Sequence, residues 1–572
     1  MQKVSPLTIC LLFLTFGTLA HAAEPPPPPE ATDQFASQSE RFRKNAAALP
    51  AKKEEKPEIV VQKEEEGPIE DTGPFFMIQK IKLSGNTIFG ESVFETYVQM
   101  LENRRISFGD LKALSRAITN YYRAHGYSTS RAFVPPQTVE NQTAEIKIVE
   151  GGVDKVYVEG NKYFSAQVYQ RSIKFGKERV FRYQDLERSL YFLNQKPDRS
   201  AKAYLVAGQE PTKSDIILKA EDKNPFHAGY EYNNHGTKLT HRGRHLIRMS
   251  DNNAFGIGDI VSGSATVAEQ AAFDGGSFGY THFMDESDTI LSFQTSYINS
   301  LLVKNFKPLN VRGNSYNYVP SITHSFIAEP LLQLDGYAGL EIKDLRTTVS
   351  GTKLNFDRMR TLVIGPRLTT QDASGRTFVS TEIHWGIGGL LGGSEARDTE
   401  SSRVGAGGDF RYYTANVARF QKMPDSSFLI ARAGGQISED KLTSLEQFHA
   451  GGANSVRGYP ESDSAGDYGY NFSFEYNFLT PFMPRNWVIP MTPKKWSDAL
   501  RWVGFLDGGK TYLKNRASDA SVKDRFLLGT GLGIRFNWNS NFSLECDLGF
   551  PIGDKSTDEN QKQVHLEVKG GF

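Results

Sequence analysis

The chain has 572 residues, too many for one ordinary domain, and its 66 Lys and Arg balance 66 Asp and Glu, so no net field favours nucleic acid or an acidic partner. A mean hydropathy of −0.44 excludes a bundle of membrane-spanning helices. It does not exclude a β-barrel, whose strands alternate apolar with polar residues and average out hydrophilic.

Lys3, an apolar run over residues 7–19 and Ala20-His21-Ala22 read as a secretory signal peptide, residues 1–22. The run falls short of the roughly 18 residues a membrane-spanning helix needs. Cys10 leaves with the signal and Cys546 stays alone, so no intrachain disulfide is available. Residues 23–73 are rich in Pro, Glu and Lys and cannot bury a core. Within them residues 31–49 lack Gly and Pro and place Phe35, Phe42 and Leu49 among polar residues. That segment fits one polar helix or a plain spacer.

Residues 74–151 read β-α-α-β-β, with Asp110 as the expected N-cap of the second helix and Leu111, Leu114 and Ile118 on its apolar face. Residues 152–224 repeat the plan at one common offset: Gly85-Asn86 matches Gly160-Asn161, and Asp110-Leu111 matches Asp185-Leu186. In the first copy the strand over residues 129–134 runs into Pro135-Pro136, which lack the N–H groups a ladder needs. A sheet edge there would accept an added strand, which makes Ala132, Phe133, Val134 and Gln137 candidates for binding an extended polypeptide. For the second copy a spacer role stands beside capture.

From residue 225 to 572 aromatic-rich alternating strands are separated by polar, Gly-rich turns. At roughly 20 to 24 residues per strand and connection this stretch holds about 14 to 17 strands. The last strand is the clearest: Val564, Leu566, Val568, Gly570 and Phe572 share one face, and His565, Glu567 and Lys569 the other. Such a split puts the apolar face toward lipid and the charges toward a lumen.

One loop stands out, from Gly451-Gly452 through Val456-Arg457-Gly458-Tyr459 to Gly466-Asp467-Tyr468-Gly469. It carries a single large cation near its middle. A guanidinium in a barrel lumen requires a carboxylate, because it cannot deprotonate and an unpaired buried charge is strongly unfavourable. Asp507, within Phe505-x-Asp507-x-Gly509, is the expected partner.

Enzymatic signatures are weak. Gly275-Gly276-Ser277-Phe278-Gly279 satisfies G-x-S-x-G but lies among hairpins rather than at a strand-to-helix turn. The 11 His form no H-E-x-x-H, and there is no phosphate-cradling loop. No catalysis, metal or cofactor is expected.

The loop and strand motifs together resemble those of two-partner secretion transporters, the haemolysin-activator family of POTRA-plus-barrel outer-membrane proteins. Gly126-Tyr127, the run from Arg131 to Gln137 and Glu150-Gly151 are similar to that family's POTRA variant. The resemblance implies a transmembrane antiparallel β-barrel of about sixteen strands over 225–572, behind two periplasmic α+β POTRA domains at 74–151 and 152–224. Residues 31–49 would plug the lumen and residues 52–73 link the plug to the POTRA units. Arg457 and Asp507 would latch the loop, and Phe572 would be the recognition signal for barrel assembly. The implied work is translocation of an unfolded exoprotein (TpsA-like) across the outer membrane by a monomer. Outer-membrane lipid and lipopolysaccharide would surround it, and periplasmic chaperones and the barrel assembly machinery would handle it during biogenesis. The wider superfamily also contains assembly factors for other barrels; those carry three or more POTRA units and lack the Pro-Pro-Gln element.

Overall fold

A computed structural model describes residues 59–61 and 75–571 except 140, 176–179, 211–212, 285–287, 481–483, 485, 491–493, 515–524 and 540. The expected signal peptide, the segment 31–49 and Phe572 lie outside the described residues.

A short strand, β1 (Ile59–Val61), precedes two small units. The first comprises β2 (Phe76–Ile78), β3 (Lys80–Ser84), α1 (Glu91–Gln99), β4 (Arg104–Ile106), α2 (Phe108–Ala124), β5 (Arg131–Phe133) and β6 (Thr143–Val149). The second comprises β7 (Gly152–Glu159), α3 (Ala166–Arg171), α4 (Tyr183–Gln195), β8 (Arg199–Ala207) and β9 (Lys213–Asp222). Their sheets share one topology. The last strand lies in the middle, parallel to β3 or β7 and antiparallel to β5 or β8, in the orders β3-β6-β5 and β7-β9-β8.

The repeat extends to single atoms. Gly85 and Gly160 both turn at positive φ (+87° and +84°), and a Cβ on either would meet a carbonyl oxygen, Ile148 O at 2.2 Å and Ala220 O at 2.7 Å. Asn86 and Asn161 then each donate to a backbone carbonyl three residues on, Phe89 O and Phe164 O. The N-cap expectation needs correcting: Ser107, not Asp110, caps α2, and Asp110 answers from the third helical position by accepting from Ser107 N at 2.8 Å, a capping box. Asp185 holds the matching third position of α4, whose cap residue is Arg182.

Part of the expected linker has structure. Ile59–Val61 pairs in parallel with Ala203–Leu205 of β8, so the second unit's sheet runs β1-β8-β9-β7. Three β-branched residues suit a strand, and an unpaired edge is a template for one.

The barrel begins with β10 (Phe226–Asn233), β11 (Arg244–Asp251), β12 (Ile260–Ala268), β13 (Phe273–Met284), β14 (Thr289–Leu301) and β15 (Arg312–Glu329). β16 (Leu332–Val349), β17 (Thr352–Asp372), β18 (Gly375–Gly386), β19 (Phe410–Lys422) and β20 (Phe428–Ser438) follow. The long connection after β20 contains a hairpin of β21 (Phe448–Ala450) and β22 (Ser464–Gly466). The circuit resumes with β23 (Tyr468–Leu479) and β24 (Leu500–Tyr512), with the short helix α5 (Trp496–Ala499) between them. β25 (Phe526–Asn539), β26 (Phe542–Pro551) and β27 (Gln563–Gly571) complete it, and β27 pairs back onto β10. Sixteen antiparallel strands thus close a barrel without edges. In β27 Val564 is exposed while His565 and Glu567 are buried, the outward-apolar, inward-polar split of a membrane barrel. Gly275–Gly279 lies inside β13 in extended form, so the G-x-S-x-G match forms no nucleophile elbow.

The second unit is fixed to the barrel rim. Asp198 accepts from Asn252 Nδ2 at 2.6 Å and faces His227 Nε2 at 2.7 Å, while Asn253 Nδ2 donates to Tyr163 O at 3.1 Å. On the other side Asp288 receives Lys174 and Arg188. The β20–β23 connection leaves from the opposite end of the barrel.

Candidate functional site

The β20–β23 loop does not stand out from the barrel; it folds back into the lumen. Val456 and Tyr459 are fully buried and Arg457 is 2% exposed, deep among inward-facing side chains. Arg457 Nε and Nη2 grip both oxygens of Asp507, at 2.7 and 3.1 Å, and its backbone N–H donates to the same carboxylate. That two-pronged geometry is the strong form of the guanidinium–carboxylate pair. The pair foreseen from the sequence is present.

It is not alone. Arg457 Nη1 also donates to Glu475 Oε2 at 2.8 Å and to Asp547 Oδ2 at 3.1 Å. Arg535 binds Asp547 through both oxygens and approaches Glu475 at 3.4 Å, and Arg432 lies 4.0 Å from Glu475. With Glu545 3.5 Å from Arg535 Nε, three guanidinium groups meet four carboxylates, and the cluster is close to neutral, the condition under which buried ions persist. Phe505 sits under the Arg457 guanidinium at 3.7 Å, so the aromatic of the Phe505-x-Asp507-x-Gly509 motif adds a cation–π contact. Strand alternation explains the spacing: Phe505, Asp507 and Gly509 are successive inward positions of β24.

Glycines let the loop backbone touch the wall. A Cβ on Gly529 would lie 1.8 Å from Arg457 O, and one on Gly549 would lie 2.5 Å from Gly458 N. At Gly509 the neighbours would be Val456 Cγ2 at 3.2 Å and Ala450 Cβ at 3.4 Å. Within the loop Gly451, Gly452 and Gly458 all adopt φ near +100°, which side chains disfavour. Tyr459 fixes the far side by donating to Asp554 O at 2.8 Å. At the loop's root, buried Asp467 accepts from Leu442 N, Lys514 N and Arg403 Nη1 at 2.6 to 2.8 Å.

Glu475, Asp547, Arg535, Gly529 and Gly549 escaped the sequence reading. A signal existed: in β23, β25 and β26 the charged residues occupy positions that alternate with lipid-facing Phe474, Tyr476, Leu532 and Leu548. Charges on that inward face need partners across the lumen.

The first unit places the other candidates. β5 is the edge of its sheet, as expected, but its outward groups are not free. Ala132 N–H donates to Thr119 Oγ1 of α2 at 2.9 Å, and that hydroxyl lies 3.4 Å from Ala132 O. Gln137 exchanges two bonds of 2.7 Å with the backbone of Glu145, so its side-chain amide replaces the ladder that Pro135-Pro136 interrupts. Val134 packs against the core, whereas Phe133 is 37% exposed. Of the four, Phe133 and Gln137 are exposed, and Gln137 is already engaged by the Glu145 backbone.

The family of haemolysin secretion/activation proteins ShlB/FhaC/HecB matches residues 212–536, more than half of the chain. The chain belongs to that family. Its POTRA domain of the ShlB type matches residues 76–151. Similar relatives include the heme/hemopexin transporter protein HuxB of Haemophilus influenzae (strain 86-028NP), 22% identical over 84% of each chain. The outer membrane transporter CdiB of Dickeya dadantii is 21% identical over 84% of this chain and 83% of its own. Among solved structures, CdiB from Escherichia coli superposes with a TM-score of 0.72 at 19% identity, covering 95% of this chain and 99% of that one. BamA from Haemophilus ducreyi lacking POTRA domains 1–3 gives 0.51 at 13% identity, a likeness of fold. As a family member the chain is an outer-membrane secretion transporter, with a translocating barrel and POTRA units facing the periplasm.

Proposed function

We propose that this transporter secretes one large exoprotein, taken up unfolded in the periplasm and passed outward through the barrel beside the lumenal loop. Curated relatives named as transporters of heme/hemopexin and haemolysin support a TpsA-like cargo, which the transporter moves without chemistry of its own. The observation that carries the reading is the loop anchored inside the lumen by Arg457 on Asp507, Glu475 and Asp547. A pore that must stay shut to small solutes needs such an obstruction, and a charge-paired one keeps its place without covalent bonds. The folding of the cargo outside supplies the drive. The POTRA units receive the cargo, the first of them around Phe133. The protein works as a monomer within lipid and lipopolysaccharide, and periplasmic chaperones and the barrel assembly machinery deliver it there.

Expression of the chain with the exoprotein encoded beside its gene tests this. Appearance of that exoprotein in the medium only when the transporter is present supports the reading. Export that continues without the transporter, or a transporter needed only for the insertion of other barrels, overturns it.

A further inference from the structure

The lumenal loop touches the wall at a second place, on a different sector of the barrel. Glu446, 2% exposed on the stem before β21, accepts from Lys343 Nζ of β16 at 3.1 Å and from Tyr412 OH of β19 at 2.7 Å. Thr361 Oγ1 of β17 lies 3.4 Å from the same carboxylate, and Gln436 of β20 donates to the Glu446 carbonyl at 2.9 Å. Lys343 also pairs with Glu341 Oε2 at 2.5 Å. The loop therefore crosses a chord of the lumen, its tip on β24 and β26 and its stem on β16, β17 and β19.

The two contacts differ in what release would leave behind. If the tip withdrew, Asp507 would lose its cation, and among the described residues no other cation reaches it. The tip backbone would also leave its seat on Gly529 and Gly549. If the stem withdrew, Lys343 would keep Glu341, and Tyr412 and Thr361 would offer hydroxyls that water can serve. No ion on the wall would be stranded. Space for that water is at hand: Lys343, Tyr412 and Glu446 line a cavity of about 570 Å3 that runs down to Asp335. Asp335 also lines a second cavity, of about 430 Å3, between the second POTRA unit and the barrel rim. The two cavities thus meet at Asp335, one on the rim side and the other reaching the Glu446 contact.

We propose that the Lys343–Glu446 contact is the releasable seal of the pore, and that the loop stem parts from β16 and β17 while Arg457 keeps the tip in place. This rests on the reading of the barrel as a conduit obstructed by its loop, and it moves the opening event from the tip to the stem. Glu446 and Lys343 are then positioning residues for closure.

Single-channel conductance of the purified full chain in planar lipid bilayers tests the assignment. Each variant is first checked for the heat-modifiable mobility of a folded barrel, and is also measured in a chain lacking residues 31–49, so that a plug cannot hide an effect. Glu446→Ala is expected to raise the open-state conductance or open time severalfold, and Glu446→Gln, which keeps the acceptors and loses the charge, to do so less. Should a variant fold poorly, a second route remains. Lys343→Cys and Glu446→Cys in a Cys546→Ser background, joined by a short cleavable bis-maleimide, are expected to hold the pore shut until the tether is cut. Opening that persists with the tether in place overturns the proposal. If Arg457→Ala raises conductance and Glu446→Ala does not, the seal lies at the tip and the stem assignment fails alone. If neither changes conductance, the loop is no barrier and the conduit reading falls with it.

Discussion

At Arg457 one guanidinium serves three carboxylates, and the consequences of removing each partner are unequal. Arg457→Ala leaves Asp507 buried with no cation, whereas Asp507→Ala leaves Arg457 still bound to Glu475 and Asp547. Stripping one partner from a buried ion pair costs about 3–5 kcal/mol. We therefore expect Arg457→Ala to impair secretion and lower the thermal midpoint of heat-modifiability more than Asp507→Ala, with barrels of both still assembled. The double variant should cost less than the sum, by an interaction of about 0.5–3 kcal/mol; strictly additive losses would mean that the two do not act as a pair. Gly529 offers a test that leaves all charges alone. A Cβ there meets Arg457 O at 1.8 Å, a backbone atom that cannot turn aside. Gly529→Ala should displace the loop tip at a cost of about 1–3 kcal/mol, the usual penalty for overpacking, and should expose the loop to added protease. Unchanged protease resistance would show that the tip tolerates a gap from the wall.

At the scale of elements, β5 shows how an edge can be present and yet occupied. The Thr119 hydroxyl of α2 satisfies Ala132 N–H, and Gln137 satisfies Glu145, so the helix and the residue after the two prolines close the edge from within the domain. Ala132→Pro would break the α2–β5 contact and report on domain stability rather than on cargo. Phe133 is the better probe, since its ring is 37% exposed. Phe133→Ser should weaken binding of purified cargo to the full chain, while the stability of the unit shifts by only about 0.5 kcal/mol, as at other surface sites. Cargo that binds the variant as tightly as the parent would move capture away from this strand. In the same unit burial, and then the bond to Glu150, raise the Tyr122 phenol far above its ordinary pKa, so it stays a donor to Glu150 at every accessible pH. Glu150 in turn accepts from Thr87 N and Ile88 N, and the second unit solves the same task with Asp222 beneath Lys162, Tyr163 and Phe164.

For the whole molecule, closure depends on β27 pairing with both β26 and β10. In the sequence the next residue, Phe572, continues the alternation of Val564, Leu566 and Val568. Its deletion should lower the heat-modifiable fraction in the outer membrane, and undiminished levels would rule out a targeting role. The architecture could be read from the chain because its determinants are local. Alternation with period two, glycines at turns and the repeated Gly-Asn and Asp-Leu pairs report which residues face inward and where the chain reverses, and these follow from neighbouring residues alone. Arg457 and Asp507 could be paired in advance because a lone lumenal cation demands an acid and a motif offered one. Glu475 and Asp547, 18 and 90 residues from Arg457, the seat on Gly529 and Gly549, and the Lys343–Glu446 contact could not. Each depends on which strands barrel closure sets side by side and on how far the loop descends. Both are set by the register of sixteen strands taken together, which no local pattern contains.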